Sequence, residues 1–273
     1  MFFLSNKRRI ERLKERLRRK YDNELDTLRC RIDMPDHLLD DYLRDRKSAE
    51  FQAVFRKENP LISVCIATYN RGRLLTERTI PSVLQQTYRN LELIVVGDCC
   101  QDDTAERVAA IDDPRLRFVN LDERGRYPDD SNLRWMVAGS KPMNHALSLA
   151  RGDFITHLDD DDRYPLDRLE KLLNFARQNH LEFVWHPFHC EATDGKWEIN
   201  PAEEFASSQV TTSSVFYHNW LGRIGWDINA YRLKEPGDWN RFRKFRYLGV
   251  NHGRFPESML FHYREQNQRP QTP

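Results

Sequence analysis

Four consecutive carboxylates, Asp159-Asp160-Asp161-Asp162, follow directly on the run Asp153-Phe154-Ile155-Thr156-His157-Leu158. The apolar run reads as a buried strand, and the acids stand at its carboxyl end. Charges this close repel one another strongly, so a cationic partner is expected, most simply a divalent metal held by hard oxygen ligands. The plainer reading is a solvated acidic loop capping the helix that starts near Pro165, since acids favour helix N-termini. Position bears on the choice. The flanking sequence alternates strand and helix patterns, and open α/β sheets bind ligands at the carboxyl ends of their strands.

A chain of 273 residues can bury a full core, as one large domain or one domain with an appendage. Its formal net charge of +1 gives no global argument for a nucleic-acid partner. The five cysteines (Cys30, Cys65, Cys99, Cys100 and Cys190) show no zinc or CxxC spacing. Cys65 sits in an apolar strand pattern, and the adjacent Cys99 and Cys100 suit disulfide geometry poorly. A reduced, cytoplasmic protein is therefore expected. No apolar stretch approaches the length of a membrane span, and Met1-Phe2-Phe3-Leu4 is too short for a signal-peptide core.

Residues 1–59 read as a helical extension. Ile10, Leu13, Leu17, Tyr21, Leu25 and Leu28 recur at steps of three and four, with Lys and Arg crowding the other faces from Lys7 to Lys20. Met34-Pro35 breaks the pattern, and a second helix is expected over Asp36 to Phe55. The stripe can pack on the rest of the chain or on a second subunit. Alternatively it can lie on an anionic membrane surface, with Phe2, Phe3 and Leu4 as an apolar tip. Packing is preferred because the stripe is narrow and acids follow Tyr21.

From Pro60 a second unit begins, expected to reach Arg264 and to leave 265–273 as a tail. Leu61 to Thr68 is a continuous apolar strand of the kind buried in parallel sheets. Tyr69-Asn70-Arg71-Gly72 turns into a helix from about Leu74 to Gln86. A second strand covers Leu91 to Val96, a short helix Thr104 to Ile111, and a third strand Leu116 to Asn120. Two βα units and a further strand imply a right-handed, Rossmann-like half-sheet, although no GxGxxG follows the first strand. A long polar segment, Asp122 to Ser140, carries Arg124, Arg126, Arg134 and Trp135, and a helix over Lys141 to Ala150 precedes the acidic strand. A helix over Pro165 to Gln178 follows it. Glu182 to Cys190 reads as a strand, Asp194-Gly195 as a hairpin turn, Val210 to Tyr217 as another β run, and Gly237-Asp238-Trp239 as the start of a basic helix.

In this order the motifs of residues 60–264 resemble family 2 glycosyltransferases of the GT-A fold. Ser63-Val64-Cys65-Ile66-Ala67-Thr68-Tyr69-Asn70-Arg71 is similar to that family's opening strand, and Ser82-Val83-Leu84-Gln85-Gln86-Thr87-Tyr88 to its first helix end. Val95-Val96-Gly97-Asp98 with Asp103-Thr104 resembles the second strand end, with Gly97 and Cys99-Cys100 as departures. Asn144-His145-Ala146-Leu147 with Ala150-Arg151-Gly152-Asp153 resembles the helix before the acidic strand. The acidic run resembles the family's DxD motif, and Gly237-Asp238-Trp239 its later "EDW".

The resemblance implies an α/β fold of GT-A type: a Rossmann-like, mixed but mostly parallel sheet flanked by helices. Residues 60–162 would bind a nucleotide sugar and residues 163–264 an acceptor. It implies a metal-dependent inverting transferase, moving a sugar from a nucleotide-diphosphate donor, a UDP-sugar by preference, to an acceptor hydroxyl. The acceptor class stays open among saccharides, lipid-linked glycans and proteins. Thr68, Tyr69, Arg71 and Asp98 would hold the nucleotide, with Lys141 and Asn144 beside the donor. Asp159 would meet the ribose, Asp160 would assist, and Asp161 would bind Mn2+ or Mg2+ with His262 as a further ligand. Asp238 would be the base, although Gly237 stands where that family has Glu and Glu235 lies two residues earlier. Trp239 reads as acceptor wall or helix anchor. Two other functions fit the pattern less well. A sugar-phosphate nucleotidylyltransferase needs a Gly-rich phosphate loop after the first strand, which Thr68 to Gly72 is not. A non-catalytic module of the same fold has no need of intact acids at 159, 161 and 238.

Overall fold

The computed structural model of the protein describes residues 2–264, with side chains of the first helix described at positions 13, 14, 17 and from 20 onward. The tail 265–273 and the side chains of Phe2, Phe3, Leu4 and Ile10 lie outside the described residues. The extension folds into α1 (Phe2–Asp33), α2 (His37–Asp45) and α3 (Ala49–Ala53). The helix expected over 36–55 is thus two. Ser48 stops the continuation by accepting a hydrogen bond from the Phe51 N–H, a side-chain cap that begins a new helix.

The sheet is built as its apolar runs require. β1 (Ile62–Thr68) is followed by α4 (Gly72–Leu74) and α5 (Ile80–Leu84), joined by a wide π turn at Leu75–Thr79. Pro81 has no N–H for the preceding turn, and the widened stretch absorbs that loss. β2 (Leu91–Gly97), α6 (Thr104–Ala109) and β3 (Leu116–Asn120) complete the half-sheet. The long polar segment is not all loop. Asp130 caps α7 (Ser131–Val137), and α8 (Ser140–Leu149) leads into β4 (Phe154–His157).

Beyond the acids come α9 (Arg168–Gln178), β5 (Phe183–Trp185), β6 (Phe188–Glu191) and β7 (Trp197–Asn200). The strand expected over 182–190 is split because Pro187 cannot donate to a ladder, and the chain crosses there from one sheet to another. β8 (Val215–His218), α10 (Gly237–Leu248), β9 (His252–Arg254) and β10 (Phe261–His262) close the fold. The β run expected over 210–217 begins instead as a tight helical turn at Thr212–Ser214, where Thr211 N–H donates to the Ser214 hydroxyl.

The main sheet has the order β3-β2-β1-β4-β8-β5-β9, and a small one the order β10-β6-β7. β3, β2, β1 and β4 run parallel, β8 is antiparallel to β4 and β5, and β9 is parallel to β5. Helices cover the sheet, so β1 and β2 are buried nearly throughout. Among the described residues no helix is long and apolar enough to cross a membrane.

Of the two packing partners expected for the apolar stripe, the rest of the chain is not the one its described residues meet. Arg246 pairs with Asp26 at 2.6 Å, and Arg29 with Glu235 at 2.8 Å. Arg243 bonds Asp33 and the Cys30 sulfur. Leu13, Leu17, Tyr21, Leu25 and Leu28 are all exposed. Among the described residues, the polar face of α1 meets the domain and the apolar stripe is exposed.

Candidate active site

Because β1, β2 and β4 are parallel and in register, their carboxyl ends share one edge of the sheet. Thr68 lies beside Gly97, and Cys65 beside His157. The residues that follow each strand, Tyr69 to Arg71, Asp98 and Asp159 to Asp162, are therefore brought together although they are far apart in sequence.

The acidic run divides into two pairs. Asp160 accepts from the Thr68 hydroxyl at 2.7 Å and from Arg71 at 3.0 Å, and Asp161 accepts from the same guanidinium at 2.6 Å. The backbone of the run is pinned from the π turn: Thr79 Oγ1 donates to the carbonyls of Asp160 and Asp162, and Arg78 to that of Asp161. The remaining pair faces elsewhere. Asp162 is buried, with Oδ2 2.9 Å from His262 Nδ1 and Oδ1 accepting from the Tyr263 N–H at 3.0 Å. One ligand atom each from Asp159, Asp162 and His262 lies within 4.8 Å of the others.

Electrostatics follow from this packing. Burial, then the charges of Asp162 and Asp161, push the Asp159 carboxyl well above its ordinary range. Burial also raises Asp160, against the pull of Arg71. For His262 burial acts downward, but the charge and hydrogen bond of Asp162, with Asp159 and Asp161 beyond, raise it to about 9. Two hard oxygens and an imidazole, converging where negative charge is in excess, form a donor set that suits Mn2+ or Mg2+.

A cavity of about 730 Å³ runs along this edge. At one part of its wall Asp98, itself buried, accepts from the Gly125 N–H at 2.9 Å and lies 3.8 Å from Arg124. The Arg124 guanidinium sits 3.7 Å over the Tyr69 ring. Trp135, carried by α7, also lines the cavity and is largely exposed, and Tyr263 lines it next to His262.

Asp238 is in the same wall, in the first turn of α10. It is not the helix cap, a place taken by Pro236. Its Oδ1 accepts from the Trp239 N–H at 2.6 Å, and a second bond comes from the Thr212 backbone. No cation is among the groups that set its charge. Burial therefore prevails over the backbone donors and raises the carboxyl to about 6. The neighbouring Ser213 hydroxyl accepts from the Asp159 N–H at 2.9 Å, so one turn touches both acids.

The family described as "Glycosyl transferase family 2" matches residues 63–129 and 133–259. The chain belongs to that family. Within family 2 it is 36% identical over 66% of its length, and 60% of the relative's, to WcaA of Escherichia coli, which carries a colanic acid biosynthesis glycosyl transferase name. It is 28% identical over 60% of its length to WfgD of Escherichia coli, named a UDP-Glc:alpha-D-GlcNAc-diphosphoundecaprenol beta-1,3-glucosyltransferase, and covers 56% of that protein. The chain thus spans about 60% of these curated family 2 relatives. The crystal structure of S. aureus TarS 1-349 with UDP-GlcNAc superposes with a TM-score of 0.61 at 20% identity, over 76% of this chain and 60% of that one. That likeness concerns the fold.

The departures from the family 2 pattern have local causes. A side chain at position 97 would lie 2.4 Å from the Asn120 amide oxygen, which accepts from the Cys100 N–H. A side chain at 237 would approach the Met136 carbonyl at 3.2 Å. Glu235 is no substitute for the missing acid, because it is buried between Arg243, Arg29 and Asn240.

Of the residues expected to meet the donor, Thr68, Tyr69, Arg71, Asp98, Asp159, Asp160, Asp161, Asp238 and His262 line the cavity. Lys141 and Asn144 do not. Lys141 donates to the Glu123 carbonyl at 2.6 Å, and Asn144 uses both ends of its amide on the Trp226 backbone. Asn144 therefore holds Trp226 at the cavity wall. Trp239 is the helix anchor rather than acceptor wall, buried edge-on against Phe205. Sequence reasoning left the part of Asp162 open and passed over Trp226, Tyr263 and the Thr212–Ser213 turn. Asp162 was within the acidic run, but nothing local singled it out from Asp161.

Proposed function

We propose that this protein is a metal-dependent, inverting glycosyltransferase that moves a sugar from a nucleotide-diphosphate donor to an acceptor hydroxyl. The observation that carries this reading is the shared cavity: Asp159 and His262, with Asp162 buried behind them, the Asp98–Arg124–Tyr69 cluster and Asp238 are brought to the same space. The Tyr69 face and the Arg124 guanidinium suit stacking on a nucleobase, and the Asp98 carboxylate suits accepting from a base N–H. Asp159, Asp162 and His262 would hold the cation. Asp161, the ligand implied by family resemblance, lies beside them under Arg71. A divalent ion there would supply Lewis-acid neutralisation of the charge that builds on the departing diphosphate.

Asp238 takes the proton of the acceptor hydroxyl as its oxygen attacks the anomeric carbon. The bond from that carbon to the phosphate oxygen breaks, and the diphosphate leaves with the electron pair. Inversion follows from the direct displacement. An acid raised to about 6 is ionised at neutral pH and is a stronger base than an ordinary aspartate, which fits the role. The names of WcaA and WfgD support a saccharide or lipid-linked acceptor, and the UDP-GlcNAc of the TarS crystal supports a UDP-sugar donor.

The test is thermal stability and donor hydrolysis across a panel of nucleotide sugars, with and without Mn2+. One nucleotide should raise the melting temperature only when metal is present, and its sugar should be released slowly. No shift with any nucleotide would favour the non-catalytic module instead.

A further inference from the structure

α1 is a 32-residue helix that bonds the domain through Asp26, Arg29, Cys30 and Asp33. Leu13, Leu17, Tyr21, Leu25, Leu28 and Ile32 form a single stripe on the far side, and all six are exposed, Ile32 at 76% and Tyr21 at 64%. A helix held at one end and apolar along its free side gains little stability alone in water. Its charge is also polarised. Residues 7 to 20 hold nine Lys or Arg against two Glu, whereas residues 21 to 33 hold four Asp or Glu against two Arg.

We propose that this stripe is the interface for a second copy of the chain, with the two α1 helices packed antiparallel about Tyr21. That register sets Leu17 of one copy against Leu25 of the other, and Leu13 between Leu28 and Ile32. It lays the basic segment of each helix along the acidic segment of its partner, with Lys20 beside Asp22. Six apolar side chains from each copy leave water in a self-complementary, two-fold contact. A parallel pairing would set the two basic segments side by side and is disfavoured by like charge. An anionic lipid surface suits the first half of the helix, but the stripe runs on to Ile32 between acids, which such a surface repels. The domain contacts of Asp26, Cys30 and Asp33 use the other face and are undisturbed.

The experiment is sedimentation velocity on the full chain, followed by cross-linking of cysteine variants against the parent as background. A dimer is expected, lost in Leu25→Asp/Leu28→Asp while far-UV helix content and metal-dependent nucleotide binding persist. Leu17→Cys and Leu25→Cys chains should link when mixed, and Leu17→Cys alone should not link to itself. A monomeric parent at tens of micromolar, self-linking Leu17→Cys, or a monomer taken up by phosphatidylglycerol vesicles would each overturn the proposal.

Discussion

Asp238 and the acids Asp159, Asp160 and Asp161 line one cavity, and their partners differ. Arg71 binds two acids of the run, and His262 faces a third. Asp238 receives only backbone N–H groups and is raised to about 6. Burial raises the carboxyls of Asp159, Asp160 and Asp238 alike, but Arg71 opposes it at Asp160, whereas at Asp238 only backbone donors do. On the roles proposed above, the acids beside Arg71 and His262 form the cation-binding end of the site and Asp238 the proton-accepting end.

The sharpest way to break that division is Asp238→Asn. Turnover should fall by about 10²- to 10⁴-fold, the usual worth of a positioned base, while calorimetry finds nucleotide affinity unchanged. Full turnover in the variant would move the base elsewhere. At the other end, Asp162→Asn and His262→Ala should each weaken Mn2+-dependent UDP binding by at least about 10-fold. Asp161→Asn is the informative control. Should it, and not Asp162→Asn, remove metal dependence, the ligand role passes to Asp161.

The pH profile gives a graded version of the same contrast. Below about 6 Asp238 is protonated and cannot take the hydroxyl proton, so kcat/KM should rise with pH and level off above that value. The rise should approach about tenfold per unit on the acid side. A smaller effect is expected from Arg124→Ala, which removes the cation over Tyr69 and should weaken nucleotide binding by about 1 kcal/mol. Smallest for the chemistry is Asn144→Ala. It should lower stability by about 1 kcal/mol through the Trp226 backbone and leave nucleotide affinity as it was.

The half-sheet was legible because its signals are local: apolar runs at Leu61 to Thr68 and Leu91 to Val96, each closed by a polar turn. Even the break at Pro187 was written in the chain, since a proline cannot serve a central ladder, yet the run from Glu182 hid it. The site was legible by residue type and position but not by partnership. Asp162 and His262 are a hundred residues apart, and no periodicity predicts that they meet. The Thr/Ser run at 211–214 read as strand because β-branched residues favour sheets, but its hydroxyls compete for the backbone and fold it into a turn. In α1 the stripe was visible, whereas its outward direction depends on long-range pairs such as Asp26 with Arg246.

That turn at Thr212–Ser213 has a mechanical consequence. Ser213 grips the backbone of Asp159, and Thr212, its immediate neighbour in the chain, grips the carboxylate of Asp238. On the roles proposed above, the span from the metal site to the base would be set by one peptide unit instead of by a hinge between two lobes. Such a caliper would couple the two ends, so that a shift at one jaw is felt at the other.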